Sequence, residues 1–429
     1  MIKYLHIISL FLILSETYGQ TDLLSKYEVK EYCFTYSDSI NGQITYGNYE
    51  PTGIVSLANG SFIVSTVFSI NFPEQNQLPD TFSQEYFDKQ RIYRGKSHIS
   101  SGSVFMLNEN FEKQWEVIFK DKRVKGIKKL SNENVLIAGE SVDLEFFWIA
   151  EINMEGDIIY EKNYKFKRSP SIDDFEIDSL NNLYLLLSTE RINPIKVTKR
   201  YGKRRIILFQ ESDMESDIYL IKIDSGGKIN WKKPIETRKN FWAYGSNLII
   251  GNKIYFSLYS EGFIKKKKEW IKKEGEFIYE YMLNGEKINS YASSNKYAHL
   301  FNTGLIYSSF ANNDTLELYF KDSIFESIET ISFKNNPNQF WIEKALFTAH
   351  DNYLTGTSNH NLGCIIFEFD HWNNYKGYWK YDTASFVDAV IEGDNAIVII
   401  ARSYSNLYGN QNMGENYSIK IIRLKNNGG

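Results

Sequence analysis

Cysteine and proline are scarce, with 2 and 7 residues in a chain of 429. Two thiols can close at most one bridge, so no disulfide framework holds this protein together. Cys33 and Cys364 lie far apart in the chain, which leaves open one bridge or two buried thiols; buried thiols are the simpler arrangement. So little proline leaves extended segments free of the residue that most often interrupts them. An excess of one charge is also missing. Against 53 acidic residues stand 49 basic ones, a net charge of -4, which argues against a global nucleic-acid binder but allows local basic patches. Catalytic motifs are lacking as well: there is no Gly-rich phosphate loop, no His-Glu-x-x-His helix and no nucleophile elbow. His350, His360 and His371 are spaced for separate strands or loops rather than for one metal site. No cofactor is expected.

Long hydrophobic runs are absent after the first few residues. Behind Lys3, residues 4–14 (YLHIISLFLIL) form one apolar run, too short to span about 30 Å of hydrocarbon as a helix. Thr17 and Gly19 suit the small positions of a signal-peptidase site, so residues 1–19 are expected to be a cleaved secretory signal with Gln20 as the new N-terminus. The cleavage point carries no cysteine for a lipid anchor. The expected location is therefore periplasmic or extracellular.

What the chain has in quantity is aromatic residues, 16% of the total with 30 Tyr and 29 Phe, and these favour strands. They recur within one repeated phrase. Residues 217–231 read DIYLIKIDSGGKINW: a strand, a tight turn and the start of another strand. Turns rich in Asn, Asp and Gly supply the positive φ that hairpins need. Apolar runs such as 397–400 have both faces hydrophobic, as expected of a sheet packed between two neighbours. A unit of four short strands cannot cover its own apolar faces. It stacks on copies of itself, and a closed ring protects the ends.

The expected fold is thus all-β: a seven-bladed β-propeller, with six or eight blades as alternatives, in a single domain from residue 20 to 429. The units fall at 53–119, 124–166, 174–235, 241–291, 299–333, 340–381 and 386–424. The last unit stops before its outer strand, and the strand-like segment 27–36 is expected to supply it, latching the ring. The phrase at 217–231, repeated more loosely at 276–291 and 147–164, resembles the β-propeller repeat proteins of bacterial cell envelopes. That resemblance implies an exported propeller and assigns no activity.

Insertions at 71–100, 192–215, 261–275 and 403–415 all fall between the second and third strands of a unit, so one rim is expected to be elaborated and the other plain. Two insertions are basic. Lys199, Arg200, Lys203, Arg204 and Arg205 lie in one, and Lys265, Lys266, Lys267 and Lys268 in the next, so the two runs should merge into one positive patch. Its expected partner is an acidic glycan or an envelope protein, with no nucleic acid and no transmembrane segment after cleavage. The first strand of each unit should line a central funnel, which places Asp174, Trp242, His299, Trp341, Glu343 and Asp388 there as candidate ligand-binding residues. For the indoles, packing between blades competes with that assignment, and for the aspartates, capping of backbone amides does. Two functions follow: a non-catalytic binding scaffold or, as the alternative, a glycoside hydrolase or lyase with paired acids in the funnel.

Overall fold

The computed structural model describes residues 27–34, 36–40, 43–71, 98–201, 204–239, 248–266, 269–292, 297–301, 304–312, 315–321, 326–332, 340–348, 351–358, 363–370, 375–381, 384–393, 396–405 and 416–426. Every element among them is a strand. The first described strand is β1 (Tyr27–Phe34), whose sheet partner lies far along the chain. The strands β2 (Tyr36–Ile40), β3 (Gln43–Ser56), β4 (Phe62–Asn71), β5 (His98–Leu107) and β6 (Lys113–Phe119) form one sheet in that order. Next come β7 (Lys122–Lys129), β8 (Val135–Ser141), β9 (Phe146–Ile152) and β10 (Ile158–Lys165).

A larger sheet contains β11 (Ser169–Ile177), β12 (Leu183–Tyr201), β13 (Arg204–Ile223), β14 (Ile229–Lys239), β15 (Leu248–Ile250), β16 (Ile254–Lys266), β17 (Glu269–Tyr281) and β18 (Lys287–Ala292). Two four-stranded sheets follow. One is β19 (Tyr297–Phe301), β20 (Gly304–Asn312), β21 (Thr315–Lys321) and β22 (Glu326–Ser332); the other is β23 (Phe340–Phe347), β24 (Asp351–Ser358), β25 (Gly363–Asp370) and β26 (Tyr375–Tyr381). The last sheet is β27 (Ala384–Glu392), β28 (Ala396–Ser405) and β29 (Asn416–Asn426), with β1 as its fourth strand.

The inner strands touch in sequence, β3 to β7, then β11, β15, β19, β23 and β27, and β27 returns to β3. This closed circuit is a β-propeller. The expectation of seven separate blades is corrected to the alternative of six: the described residues form six sheets. The units at 174–235 and 241–291 are joined because β14 reaches beyond its own unit, pairing Arg238 with Ile264 and Lys239 with Phe263 on β16. The two therefore share one eight-stranded sheet. A short hairpin at β2 and the start of β3, also unforeseen, widens the first sheet to five strands.

Strand chemistry explains the stacking. All seven residues of β8 are buried, because both its faces meet neighbouring sheets. One apolar layer, with Ile63, Val104, Ile137 and Trp148, fills the space between the first two sheets. Another, with Leu136, Phe147, Leu185 and Ile221, fills the next. Trp148 is fully buried, with its ring centroid 4.7 Å from that of Phe119. Gly139 lies beneath it for a steric reason: a Cβ there would stand 2.2 Å from the Arg123 carbonyl.

One five-residue turn recurs throughout. Its first N–H donates to the fifth carbonyl and its fourth to the first, as in Asn153–Asp157, Asp178–Asn182 and Asp224–Lys228. The fourth residue has positive φ, 91° at Gly156 and 75° at Gly227, the left-handed step that glycine takes without steric cost. The leading Asn or Asp side chain accepts the fifth residue's N–H, at 2.7 Å for Asn153 and 2.8 Å for Asp224.

The aromatic that ends the phrase then clasps the next unit's turn. Trp115 Nε1 donates to the Met154 carbonyl at 2.9 Å and Tyr164 Oη to that of Gly227 at 2.6 Å, while the Trp231 ring lies against Gly285.

The ring closes through β1, which runs antiparallel to β29 from Tyr27 opposite Asn426 to Phe34 opposite Ile419. Cys364 is a free, buried thiol whose Sγ donates to the Ala384 carbonyl, so it is not bridged to Cys33. Deleting residues 27–34 leaves β29 with an unpaired edge. The expected outcome is a lower melting temperature and concentration-dependent aggregation, read by differential scanning fluorimetry and size-exclusion chromatography.

Candidate functional site

Five of the inner strands share an irregularity. Between Pro51 and Gly53, Val124 and Gly126, Ile172 and Asp174, Ile342 and Lys344, and Phe386 and Asp388, the register to the second strand skips one residue. The extra residues are Thr52, Lys125, Asp173, Glu343 and Val387, at equivalent places in their sheets. A bulge interrupts the ladder and re-aims side chains, and Asp174 and Asp388 each follow such a skipped position.

Those groups meet backbone from the neighbouring unit. Asp388 Oδ2 accepts the Ile54 N–H at 3.0 Å, and its Oδ1 takes the Ala389 N–H at 2.9 Å and Lys344 Nζ at 2.5 Å. Asp174 repeats the device: Oδ2 accepts the Leu248 N–H at 2.7 Å and Oδ1 that of Phe175 at 2.7 Å. Ile54 and Leu248 are equivalent, each two residues before the last pair of its hairpin, Ser56–Phe62 and Ile250–Ile254. Between β8 and β11 the buried Glu140 does the same work, with Oε1 2.5 Å from the Ile172 N–H and 3.4 Å from Lys125 Nζ.

Burial pushes the Asp174 carboxyl up to about 6, opposed by the positive charge of Lys128 and the Leu248 amide. Lys128 Nζ pairs with Glu176 at 2.6 Å. Burial alone would lower its pKa, but the charges of Glu176, Asp174 and Asp388 raise it above the ordinary lysine range. Lys128 stands on β7, Asp174 on β11 and Asp388 on β27, so these charges couple inner strands of three units.

Glu343 is exposed by area, yet surrounded by chain as an interior group would be. Both hold for a side chain in a narrow funnel open to water along one direction. Burial pushes its carboxyl up to about 7; the Thr357 hydroxyl, which donates to Oε1 at 2.5 Å, pulls it down, and the charge of Asp388 adds to the rise.

Asp388 thus acts electrostatically on Glu343, and Lys128 feels both Asp174 and Asp388. Trp341 and His299 take inner-strand positions opposite Thr357 and Ile306, but their side chains lie outside the described residues, as does Trp242 entirely. His350, His360 and His371 also lie outside them, and no cluster of metal-ligating residues occurs among the described ones. Lys125, Lys128, Glu140, Glu176 and Lys344 escaped the sequence reading. A charge on an inner strand declares itself only once the bulge is known. The capping roles of Asp174 and Asp388 leave neither carboxylate an oxygen without an amide partner.

The basic insertions are long hairpins. The β12–β13 pair continues to Tyr201 opposite Arg204, with Lys199 opposite Ile206 and Arg200 opposite Arg205. The β16–β17 pair continues to Lys266 opposite Glu269. Lys203, Lys267 and Lys268 lie outside the described residues, as do the side chains of Lys199, Arg200, Arg204 and Arg205. The β14–β16 pairing ties the second hairpin to the unit that carries the first. A cavity of about 580 Å³, lined by Ser56, Leu57, Lys129, Glu392, Arg423 and Lys425 among others, opens beside the turns joining first and second strands, at the opposite ends of those strands from the insertions.

No protein-family model and no curated protein matches the chain. Among solved structures it is similar to KlHsv2 with loop 6CD replaced by a Gly-Ser linker, at 11% identity over 87% of this chain and 98% of that one, with a TM-score of 0.43. It is also similar to the Dos1 propeller, at 8% identity over 92% and 94% with a TM-score of 0.41. A third similarity is to the WD40 domain of SCAP from fission yeast, at 9% identity over 96% and 97% with a TM-score of 0.34.

Two outcomes are expected at the funnel. Asp388→Ala strands the Ile54 amide and should lower stability by about 1–3 kcal/mol in urea denaturation, with Asp388→Asn costing less because one acceptor oxygen remains. For Glu343, a folded-state pKa raised from 4.5 to about 7 means that the folded protein holds a proton which the unfolded chain has released. Stability from this source is full below the unfolded value and is lost as pH rises through the folded one. Glu343→Gln should therefore flatten the fall in melting temperature between about pH 4 and pH 8.

Proposed function

We propose that this protein is an exported, non-catalytic propeller that holds an anionic partner, an acidic glycan or an envelope protein, on the rim carrying its extended hairpins. One observation carries the reading: both basic insertions are strand-paired arms rather than slack loops, with cationic positions out to their tips. A paired arm holds its charges at set spacings, so less ordering entropy is lost on binding. The amide-capping roles of Asp174 and Asp388 support a scaffold over paired-acid chemistry, since both carboxylates already act between sheets. Glu343 favours the glycoside-cleaving alternative, because a carboxyl pushed up to about 7 suits a general acid. Among the described residues, the other two candidate carboxylates, Asp174 and Asp388, are already engaged with backbone amides.

Export rests on the leading apolar run; cell fractionation with N-terminal sequencing should find the chain outside the cytoplasm beginning at Gln20. Binding is checked by titrating the mature protein with polyphosphate at rising salt. Affinity should fall steeply with ionic strength, and by about tenfold or more when Arg204, Arg205, Lys265 and Lys266 are together changed to alanine. Unchanged affinity in that variant would remove the hairpins from the function.

A further inference from the structure

On the β16–β17 arm, Phe263 stands opposite Lys272 and Lys265 opposite Trp270. Directly opposed residues of an antiparallel pair share a face, and residues two apart along a strand share it too. Phe263, Lys265, Trp270 and Lys272 therefore occupy one face as a two-by-two checkerboard, rings on one diagonal and ammonium groups on the other, with diagonal neighbours about 7–8 Å apart. Phe263 is 41% exposed, Lys265 and Lys272 are exposed, and Trp270 is half-buried with Lys265 Nζ 5.8 Å from its ring centroid. Lys239 on β14 takes the register position beside Phe263.

We infer that this face is a binding strip for an acidic polysaccharide, one whose sugar rings carry carboxylates. The inference rests on the rim-binding reading above and names its ligand. A pyranose ring offers an apolar face of C–H groups that stacks on an aromatic ring, and a uronic acid adds a carboxylate at the edge of that ring. Alternating rings and ammonium groups match both features at once, whereas a bare polyanion uses only the lysines. Lys266 stands nearer the tip than Phe263, Ile264, Trp270 and Ile271, and Lys265 is level with Trp270. That order suits a strand lying along the arm better than a lipid surface, into which apolar residues would have to lead. Pairing to β14 holds the strip within the eight-stranded sheet.

The test titrates the mature chain with polygalacturonate, with polyphosphate as a polyanion without sugar rings, with neutral dextran and with phosphatidylglycerol vesicles. Trp270→Ala should weaken polygalacturonate binding about tenfold and Trp270→Tyr far less, with polyphosphate binding unchanged in both. Lys265→Ala with Lys272→Ala should weaken both polyanions, and dextran should not bind. Phe263→Ala gives an independent check should Trp270→Ala fail to fold. Polygalacturonate binding that ignores Trp270 and Phe263 while polyphosphate still binds overturns the strip and leaves the rim reading standing. Binding to vesicles without binding to polygalacturonate overturns it in favour of a lipid surface. Binding to neither polyanion overturns both readings.

Discussion

Seams between neighbouring units of this propeller are bridged by carboxylates that accept a backbone N–H from an inner strand, and the fold depends on these acceptors. A buried N–H without a partner costs about 1–3 kcal/mol, and the bulge recurs around the ring. The acceptor comes from the adjacent unit: Asp388 for Ile54, Asp174 for Leu248, Glu140 for Ile172. Apolar layers pull the sheets together without direction, whereas these charge-assisted bonds set their relative height. A second set of contacts, from Trp115, Tyr164 and Trp231 to the next unit's turn, does the same at the outer circumference.

This division of labour bears on chemistry. The funnel looks catalytic by composition, with acids and lysines coupled across the inner strands of three units. Yet its aspartates act in the seams between units, and Lys128 and Lys344 neutralise carboxylates that would otherwise repel one another. The arms are different. The β16–β17 arm exposes Phe263, Lys265, Lys266, Ile271 and Lys272, none of which belongs to the buried layers between sheets. Recognition there can change without loss of the scaffold.

Much of the fold was legible in particular residues. Aspartate 224 followed by Gly227 announces a turn because the side chain must cap and the backbone must turn left-handed, both local demands. The apolar segment at 397–400 announces a strand with two covered faces. The charged inner-strand positions were half legible: Asp174, Glu343 and Asp388 stand out in the sequence by their place at strand starts, and two of them prove to cap backbone amides, while Lys128 and Glu176 do not stand out. Their charges meet those of neighbouring inner strands through a register skip that no local pattern encodes. Sheet count was misjudged for a related reason. Whether Arg238 and Lys239 pair with Ile264 and Phe263 depends on how close two consecutive units stand, and neither segment's own composition specifies that.

Strand identity, turn chemistry, the repeat and the one-sided placement of the insertions were determined by the sequence alone, because each is set within about ten residues by propensity, alternation and positive φ. Tertiary structure decided which amide meets which carboxylate, where two units fuse into one sheet, and which side chains share the face of an arm. Those outcomes turn on distances between segments remote in the chain, and such distances exist only once the sheets have stacked and the ring has closed.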